Sequence, residues 1–437
     1  MKWPNYILEI LETLNQKGFQ AYLVGGCVRD QVLNIECHDY DITTDATPQQ
    51  VLDLFHSSAS CGMKHGTIIV QKETDVEITT FRKESNYTDH RHPDSVTFVQ
   101  DLSQDLKRRD FTVNALAYNP QTGIIDLFHG LEDCQNKIIR TISDPNESFN
   151  EDALRMLRAF RFCAKLHFEM DEHTFQAINH HAQDIQYISK ERIHEELTEI
   201  LYYDPFQIEK MVDLLYPIIP ELKESQQCTQ NSIYHFTNVL HHSLLAISYL
   251  PEFDETLAYT LLFHDLGKPK AKTTKNGIDH FKKHPLYSME IAKRLCEELK
   301  MTSYQKEVIP TLVYYHDDGF KKGMDSIYYF RIELGWNEKM MDDLITIRRC
   351  DLLAHSKKGQ ETLKQLDEFV LLYEQVKKSS IFNVKELDIN GNDIISNTNL
   401  KGKQIKEALN ACLKYCFYHP EQNKKELLLE YIGELWS

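Results

Sequence analysis

Residues 21–42 read AYLVGGCVRDQVLNIECHDYDI, and this stretch decides the fold. AYLV (21–24) is a short apolar run stopped by Gly25 and Gly26, and VRDQVLN follows at helical spacing. A strand that ends in Gly-Gly and enters a helix leaves backbone N–H groups free at the helix start. That arrangement suits a phosphate, and Arg29 adds positive charge. Asp39 and Asp41 follow as an Asp-Tyr-Asp unit. Two residues apart on a strand, they point the same way, and paired carboxylates repel unless cations lie between them. Hard oxygen ligands of this kind suit Mg²⁺, which takes one or two carboxylates plus phosphates. Each piece alone has a plain alternative: a turn for the glycines, a solvated acidic loop for the carboxylates.

Outward from this stretch, GTIIVQ (66–71) and DVEITTFR (75–82) are β-branched, alternating segments, and Glu77 offers a third carboxylate from an adjacent strand. VNALAYNP and GIIDLF bracket a turn at Gln121 to Gly123. Upstream, NYILEILETL is an amphipathic helix with Ile7, Leu8, Ile10, Leu11 and Leu14 inward, not a targeting segment. From about residue 147 the pattern is helical, as in EDALRMLRAFRFCAKL, with a breaker-rich stretch at 216–234. The expected fold class is α+β, mostly helical. A small mixed sheet with helices forms a head over 1–140, followed by a helical neck over 141–225, a second helical domain over 226–377 and a helical tail over 378–437.

The 437 residues carry 49 Lys+Arg against 66 Asp+Glu, a formal charge of -17. That excludes a wholesale basic coat for nucleic acid and leaves room for a local basic groove. Ten cysteines without a CxxC pair read as free thiols in a reducing cytosol, and no apolar run approaches membrane-spanning length, so a cytoplasmic protein with no membrane partner is expected.

Two further constellations carry chemistry. Lys107-Arg108-Arg109-Asp110-Phe111 abuts the apolar, Ala-rich TVNALA, so its arginines are placed to line a cleft. Glu151-Asp152 then leads into Arg155, Arg158 and Arg161, which step by three with Asp152 and predict a slanting stripe on one helix. In the second helical domain, His264-Asp265 lies within the apolar LLFHDLGKP. An HD pair there is costly to bury unpartnered, and imidazole plus carboxylate is a sensible divalent-metal set.

Taken in order, GGxVRD, DxD and RRDFTxNA resemble the head of class II tRNA nucleotidyltransferases and bacterial poly(A) polymerases, within the polymerase-β-like nucleotidyltransferase superfamily. Residues 79–118 resemble that head nearly end to end. The resemblance implies nucleotide addition to an RNA 3′-hydroxyl by a two-metal mechanism with pyrophosphate release. Asp39 and Asp41 match the Mg²⁺ carboxylates, with Glu77 as a further catalytic candidate. Gly25, Gly26, Arg29 and Arg109 match nucleotide contacts, and Glu151 to Arg155 matches the EDxxR motif. By resemblance Asp152 and Arg155 read the incoming base, with Arg158 and Arg161 beside them. An acceptor-only Asp and a donor-only Arg complement the amino donor and ring-nitrogen acceptor of cytosine and adenine, so CTP and ATP are the expected substrates and tRNA the partner. SKERIHEEL (189–197) resembles the supporting helix, and Tyr87, Asp89, Arg91 and Pro93 keep the skeleton of the family's flexible loop. Adding CCA and adding only the terminal A both fit that loop.

The helical block resembles an HD-type phosphohydrolase domain. His242, His264, Asp265 and Asp351 fit its H…HD…D pattern, and His284 and His316 suit a second metal, either a divalent transition metal or Mg²⁺. Two roles stay open for it, hydrolysis of RNA-end or nucleotide phosphoesters and an RNA-binding scaffold. The tail resembles the C-terminal segment of the same enzymes. The sequence leaves the oligomeric state open.

Overall fold

The computed structural model describes residues 2–55, 66–85 and 95–436, with backbone alone at 58–59 and 84–85. Two compact units emerge, Met1–Lys223 with Glu298–Met301, and Glu224–Glu297 with Thr302–Ser437. Among the described residues no helix is long and apolar enough to cross a membrane, and the nine described cysteines are free.

In the first unit, helix α1 (Asn5–Gln16) precedes strand β1 (Ala21–Val24), which runs through Gly25 into α2 (Gly26–Val32). α1 buries Tyr6, Ile7, Ile10, Leu11 and Leu14, which form one face at helical spacing, and this leaves Leu8 off that face and only half-buried. β2 (Tyr40–Thr44), α3 (Pro48–Leu54), β3 (Ser58–Ala59), β4 (Thr67–Gln71) and β5 (Asp75–Thr80) follow. β6 (Arg82–Ser85) pairs with β7 (Ser95–Phe98). After α4 (Leu102–Lys107) come the hairpin β8 (Leu116–Asn119) and β9 (Gly123–Asp126), then α5 (Gly130–Asn136).

Seven strands form one mixed sheet in the order β3-β4-β5-β2-β1-β8-β9. β1 is antiparallel to β2 and β8, and β2 is parallel to β5. The register matters for the site: Val24 lies opposite Asp41, and Asp41 opposite Glu77. Val24, Phe81, Leu102, Leu106, Ala115 and Ala117 form one core cluster of the sheet region.

Beyond the sheet lie α6 (Pro145–Glu151), α7 (Leu154–Leu166), α8 (Glu172–His180) and α9 (Lys190–Tyr203). α7 buries Leu154, Leu157, Ala159, Phe162 and Leu166, the residues its periodicity singled out. The expected single helix through Asp152 is broken. Asp152 has extended backbone (φ -139°) between α6 and α7, and its Oδ1 accepts the Leu154 N–H at 3.0 Å. A short acidic side chain that takes a backbone N–H two residues on competes with helix continuation.

The second unit is helical around helices Val239–Ser248, Glu255–Phe263, His284–Glu298, Ser303–Tyr315 and Glu338–Leu353. It also holds a small antiparallel hairpin, Thr273–Lys275 with Ile278–His280, where an all-helical domain was expected. The turn is Asn276-Gly277, both at positive φ (52° and 77°), a pair that favours two-residue hairpins. The tail closes its own core on Ile394, Ala408, Cys412, Cys416, Leu428 and Ile432.

Candidate active site

A cleft of about 700 Å³ in the first unit is lined by Gly25, Gly26, Arg29, Asp39, Asp41, Arg108, Arg109, Asp152, Arg155, Arg158 and Arg161, among others. Segments from Gly25 to Arg192 thus meet in one place. Glu77 lies opposite Asp41 on the neighbouring strand but is not part of the lining, and exposed Lys107 also stays outside it.

Gly25 turns the chain at φ 75°, a backbone that favours glycine. A Cβ there would sit 3.0 Å from an Arg109 guanidinium nitrogen and 3.8 Å from Asp41 Oδ2, so the glycine lets the arginine and the carboxylate approach each other. Burial pushes the Asp41 carboxyl up, Arg109 opposes this, and Glu77 and Asp39 push it further up. Carboxylates crowded in this way fit a hard divalent cation.

The arginines are held before any ligand arrives. Arg29 donates to Asn114 Oδ1 at 2.5 Å and to Asp30 Oδ1 at 2.6 and 2.8 Å. Asp105, fully buried, accepts from Arg108 Nε at 2.9 Å, lies 3.7 Å from Arg109 and accepts from Thr43 Oγ1 at 3.0 Å. Arg158 makes a two-pronged pair with buried Asp110 at 2.6 and 2.8 Å. Burial alone would push the Asp110 carboxyl up, yet Arg158, Asn114 and Arg155 hold it down at about 2. Arg161 pairs with Glu196 of α9 at 2.9 Å, where burial pushes the Glu196 carboxyl up against the pull of Arg161 and Arg158. The Arg29, Arg158 and Arg161 guanidiniums lie 5.2, 5.5 and 4.9 Å from the centre of one ring, Phe162.

Arg155 is buried and donates through one terminal nitrogen to Ser148 Oγ (2.9 Å) and Glu151 Oε2 (2.8 Å), and through the other to the Arg108 carbonyl (2.9 Å). Arg192 of α9 reaches within 3.9 Å of Asp152 Oδ2. Asp105, Asn114, Phe162 and Arg192 were missed from sequence. Arg192 and Glu196 lay in SKERIHEEL, read only as support. The loop residues Tyr87, Asp89, Arg91 and Pro93 lie outside the described residues.

In the second unit, His242, His264, Asp265, His284, His316 and Asp351 converge and are all buried. The Nδ1–H of His242, His264, His284 and His316 each donates to a backbone carbonyl, at 3.3, 2.6, 2.9 and 2.6 Å. In its neutral form each ring therefore aims an Nε2 lone pair inward. His284 and His316 present these nitrogens to each other at 3.2 Å, and His242 presents its own to Asp351 Oδ1 at 2.9 Å. Lone pairs and carboxylates facing one another call for a cation. Burial opposes charge on His264, but Asp265 and Asp351 push it up to about 10, so the cluster demands positive charge at its centre. The donor set fits a divalent metal. Sets His242/His264/Asp265 and Asp265/His284/His316 each bring their ligand atoms within 4.8 Å, as does a further set, His235/His242/His355, not foreseen from sequence.

A mixed sheet that places carboxylates beside a Gly-Gly helix start, walled by arginines and joined to an HD-type helical unit, is the layout of a polymerase-β-like nucleotidyltransferase. Family models match along the chain: the poly A polymerase head domain over 21–140, the probable RNA and SrmB-binding site of polymerase A over 167–225, and the HD domain over 232–354. A CCA-adding enzyme of Lactobacillus helveticus is 51% identical over 194 residues, 44% of this chain and 49% of that protein. The matches to the first curated relatives span about half of their length. A CCA-adding enzyme of Ligilactobacillus salivarius is 34% identical over 97% of this chain and 94% of its own. The crystal structure of the Bacillus stearothermophilus CCA-adding enzyme in complex with CTP superposes with a TM-score of 0.73 at 26% identity, covering 99% of this chain and 98% of that one. The chain belongs to the CCA-adding enzyme family of nucleotidyltransferases, with an HD domain.

Proposed function

We propose that this protein adds C, C and A to the 3′ end of tRNA from CTP and ATP, without a nucleic-acid template, releasing pyrophosphate in the cytoplasm. The observation that carries this is the single cleft in which Gly25-Gly26, Asp39, Asp41 and the Asp152–Arg161 arginine wall meet.

Asp39 and Asp41 would hold Mg²⁺, with Glu77 behind Asp41 tuning its charge. The chemistry supplied by two bound ions is Lewis acidity toward the attacking 3′-hydroxyl and toward the departing pyrophosphate. The backbone at Gly25-Gly26 and the Arg29 and Arg109 guanidiniums bind and orient the triphosphate. Asp152 and Arg155 select the base. With both N–H groups of one terminal nitrogen tied to Ser148 and Glu151 and one N–H of the other tied to Arg108, Arg155 is locked in place and keeps one terminal N–H and the Nε–H as donors to offer. Guanine and uracil would meet donor with donor there and leave buried groups unpaired.

In the HD unit, His242, His264, Asp265 and Asp351 would hold one divalent metal, and Asp265, His284 and His316 a second. The chemistry supplied there is activation of water toward a phosphoester. Lys268, whose Nζ lies 2.6 Å from Asp265 Oδ2, orients that carboxylate.

Asp41→Asn is expected to abolish nucleotide transfer while leaving the circular-dichroism spectrum unchanged. Arg155→Ala is expected to admit UTP and GTP as competitors of CTP and ATP. Transfer by Asp41→Asn at the wild-type rate removes the metal assignment, and unchanged selectivity in Arg155→Ala removes the template assignment.

A further inference from the structure

Two thiols stand beside Asp39 and Asp41, and the nucleotide-transfer chemistry uses neither. Cys27 lies in the first turn of α2, next to Gly26, and its Sγ is 3.3 Å from the Val24 carbonyl oxygen. Cys37 lies in the segment 33–39 that joins α2 to β2, and its thiol donates to the Asp39 carbonyl at 3.1 Å. Val24 ends β1 and pairs antiparallel with Asp41 of β2, so the ladder brings both sulfurs to one end of the same strand pair. There the Cys27 thiol meets the Asp41 backbone and shares a side-chain hydrogen bond with the Cys37 thiol. Both cysteines line the cleft.

Their exposures differ as an oxidisable pair requires. Cys27 is 2% exposed, whereas Cys37 is half-buried and is alone among the nine described cysteines in not being buried. An oxidant entering from solvent therefore meets Cys37 first, and Cys27 stands next to it as the resolving thiol. The bond would not leave the site untouched. A sulfur–sulfur bond of about 2.05 Å is much shorter than a thiol–thiol hydrogen bond. Forming it draws Cys37 toward α2 and off the Asp39 carbonyl, and Asp39 follows two positions along the chain.

We propose that Cys27 and Cys37 form a reversible oxidative modification site, which a peroxide closes into a disulfide that shuts down nucleotide transfer. The Cys37 sulfur attacks the peroxide O–O bond and keeps one oxygen as a sulfenic acid, and the other oxygen leaves as water. The Cys27 sulfur then attacks the Cys37 sulfur, the S–O bond breaks, and a second water leaves. The two thiols give up two electrons and two protons, and hydrogen peroxide is reduced to two waters. A dithiol reductant reverses the step by thiol–disulfide exchange. The effect on transfer rests on Asp39 as a metal carboxylate; formation of the disulfide does not.

The test treats the full-length protein with hydrogen peroxide, blocks the remaining thiols and digests with trypsin and chymotrypsin. Cleavage after Arg29 and Tyr40 leaves Cys27 and Cys37 on separate peptides unless they are bonded. Wild type is expected to yield the two peptides linked and lighter by two hydrogens than their reduced sum. Its transfer from CTP to tRNA should fall on the order of a hundredfold, the cost of a displacement of about 1 Å at a reacting centre, and return with dithiothreitol. Cys37→Ser should transfer normally when reduced and keep its rate under peroxide; Cys37→Ala serves in its place if the serine variant fails to fold. Absence of the linked peptides, linkage without loss of transfer, or equal inactivation of wild type and Cys37→Ser overturns the proposal. Reduced wild type that transfers nothing overturns the transfer reading instead, while the peptides still report whether the disulfide forms.

Discussion

Asp110 sits behind the cleft wall with its carboxylate gripped by two Arg158 N–H groups and by Asn114. It is 8% exposed, so the pair is poorly screened and the loss of one partner leaves the other buried and charged. Asp110→Asn should therefore destabilise the first unit by about 3–5 kcal/mol, read from the denaturant midpoint. The pair also sets a pH dependence. The folded carboxyl is held down at about 2, below its ordinary 3.8. Its contribution, about 2 kcal/mol, is full above pH 4 and is lost as pH falls through the folded value, roughly half of it by pH 3. The stability gap between wild type and Asp110→Asn should shrink from pH 5 to pH 3; a constant gap would show that the pair does not titrate as described. The sequence marked Arg158 but gave no role to Asp110, although both stood in quoted motifs. Their pairing spans 48 positions and is visible only once α7 is packed beside the RRDF segment.

At the scale of elements, α7 organises the cleft through one ring. Arg29, Arg158 and Arg161 stand within 5.5 Å of the centre of Phe162, which is itself edge-on to Phe111 at 5.7 Å. Each cation–π contact is worth ~0.5–2 kcal/mol, and three on one ring keep like charges gathered without a ligand. Phe162→Leu keeps an apolar side chain and removes the ring. It should raise KM for CTP and ATP by roughly tenfold with a smaller change in kcat, because the arginines lose their shared support. A lower kcat at unchanged KM would place Phe162 outside nucleotide binding. Strand β1, the Gly-Gly turn, β5 and the β8–β9 hairpin were legible in the sequence because local alternation and turn residues encode them. The break at Asp152 was not, since a three-residue step looks the same on a straight helix as across a capped junction. Asn276-Gly277 did carry a hairpin signal, but it was passed over inside a long helical block.

For the whole molecule, the charge of -17 is not spread evenly. Nine arginine and lysine side chains face six carboxylates in the cleft lining. Much of that positive charge is already paired, as Arg158 is with Asp110 and Arg161 with Glu196. RNA binding should therefore rest on few released counterions, with a log-log salt slope of roughly -2 to -4 and weak affinity for unrelated duplexes. A slope steeper than about -7 in a filter-binding titration would mean a far broader basic footprint.

The central claim is that one cleft selects C twice and then A. It is tested most directly by giving purified protein, Mg²⁺, CTP and ATP to three tRNA transcripts, ending before CCA, after C and after CC. The account predicts that all three are extended to the same CCA end, with no incorporation of UTP or GTP when these are offered instead. Extension of the CC-ending transcript alone, or growth of long A tails, would contradict it.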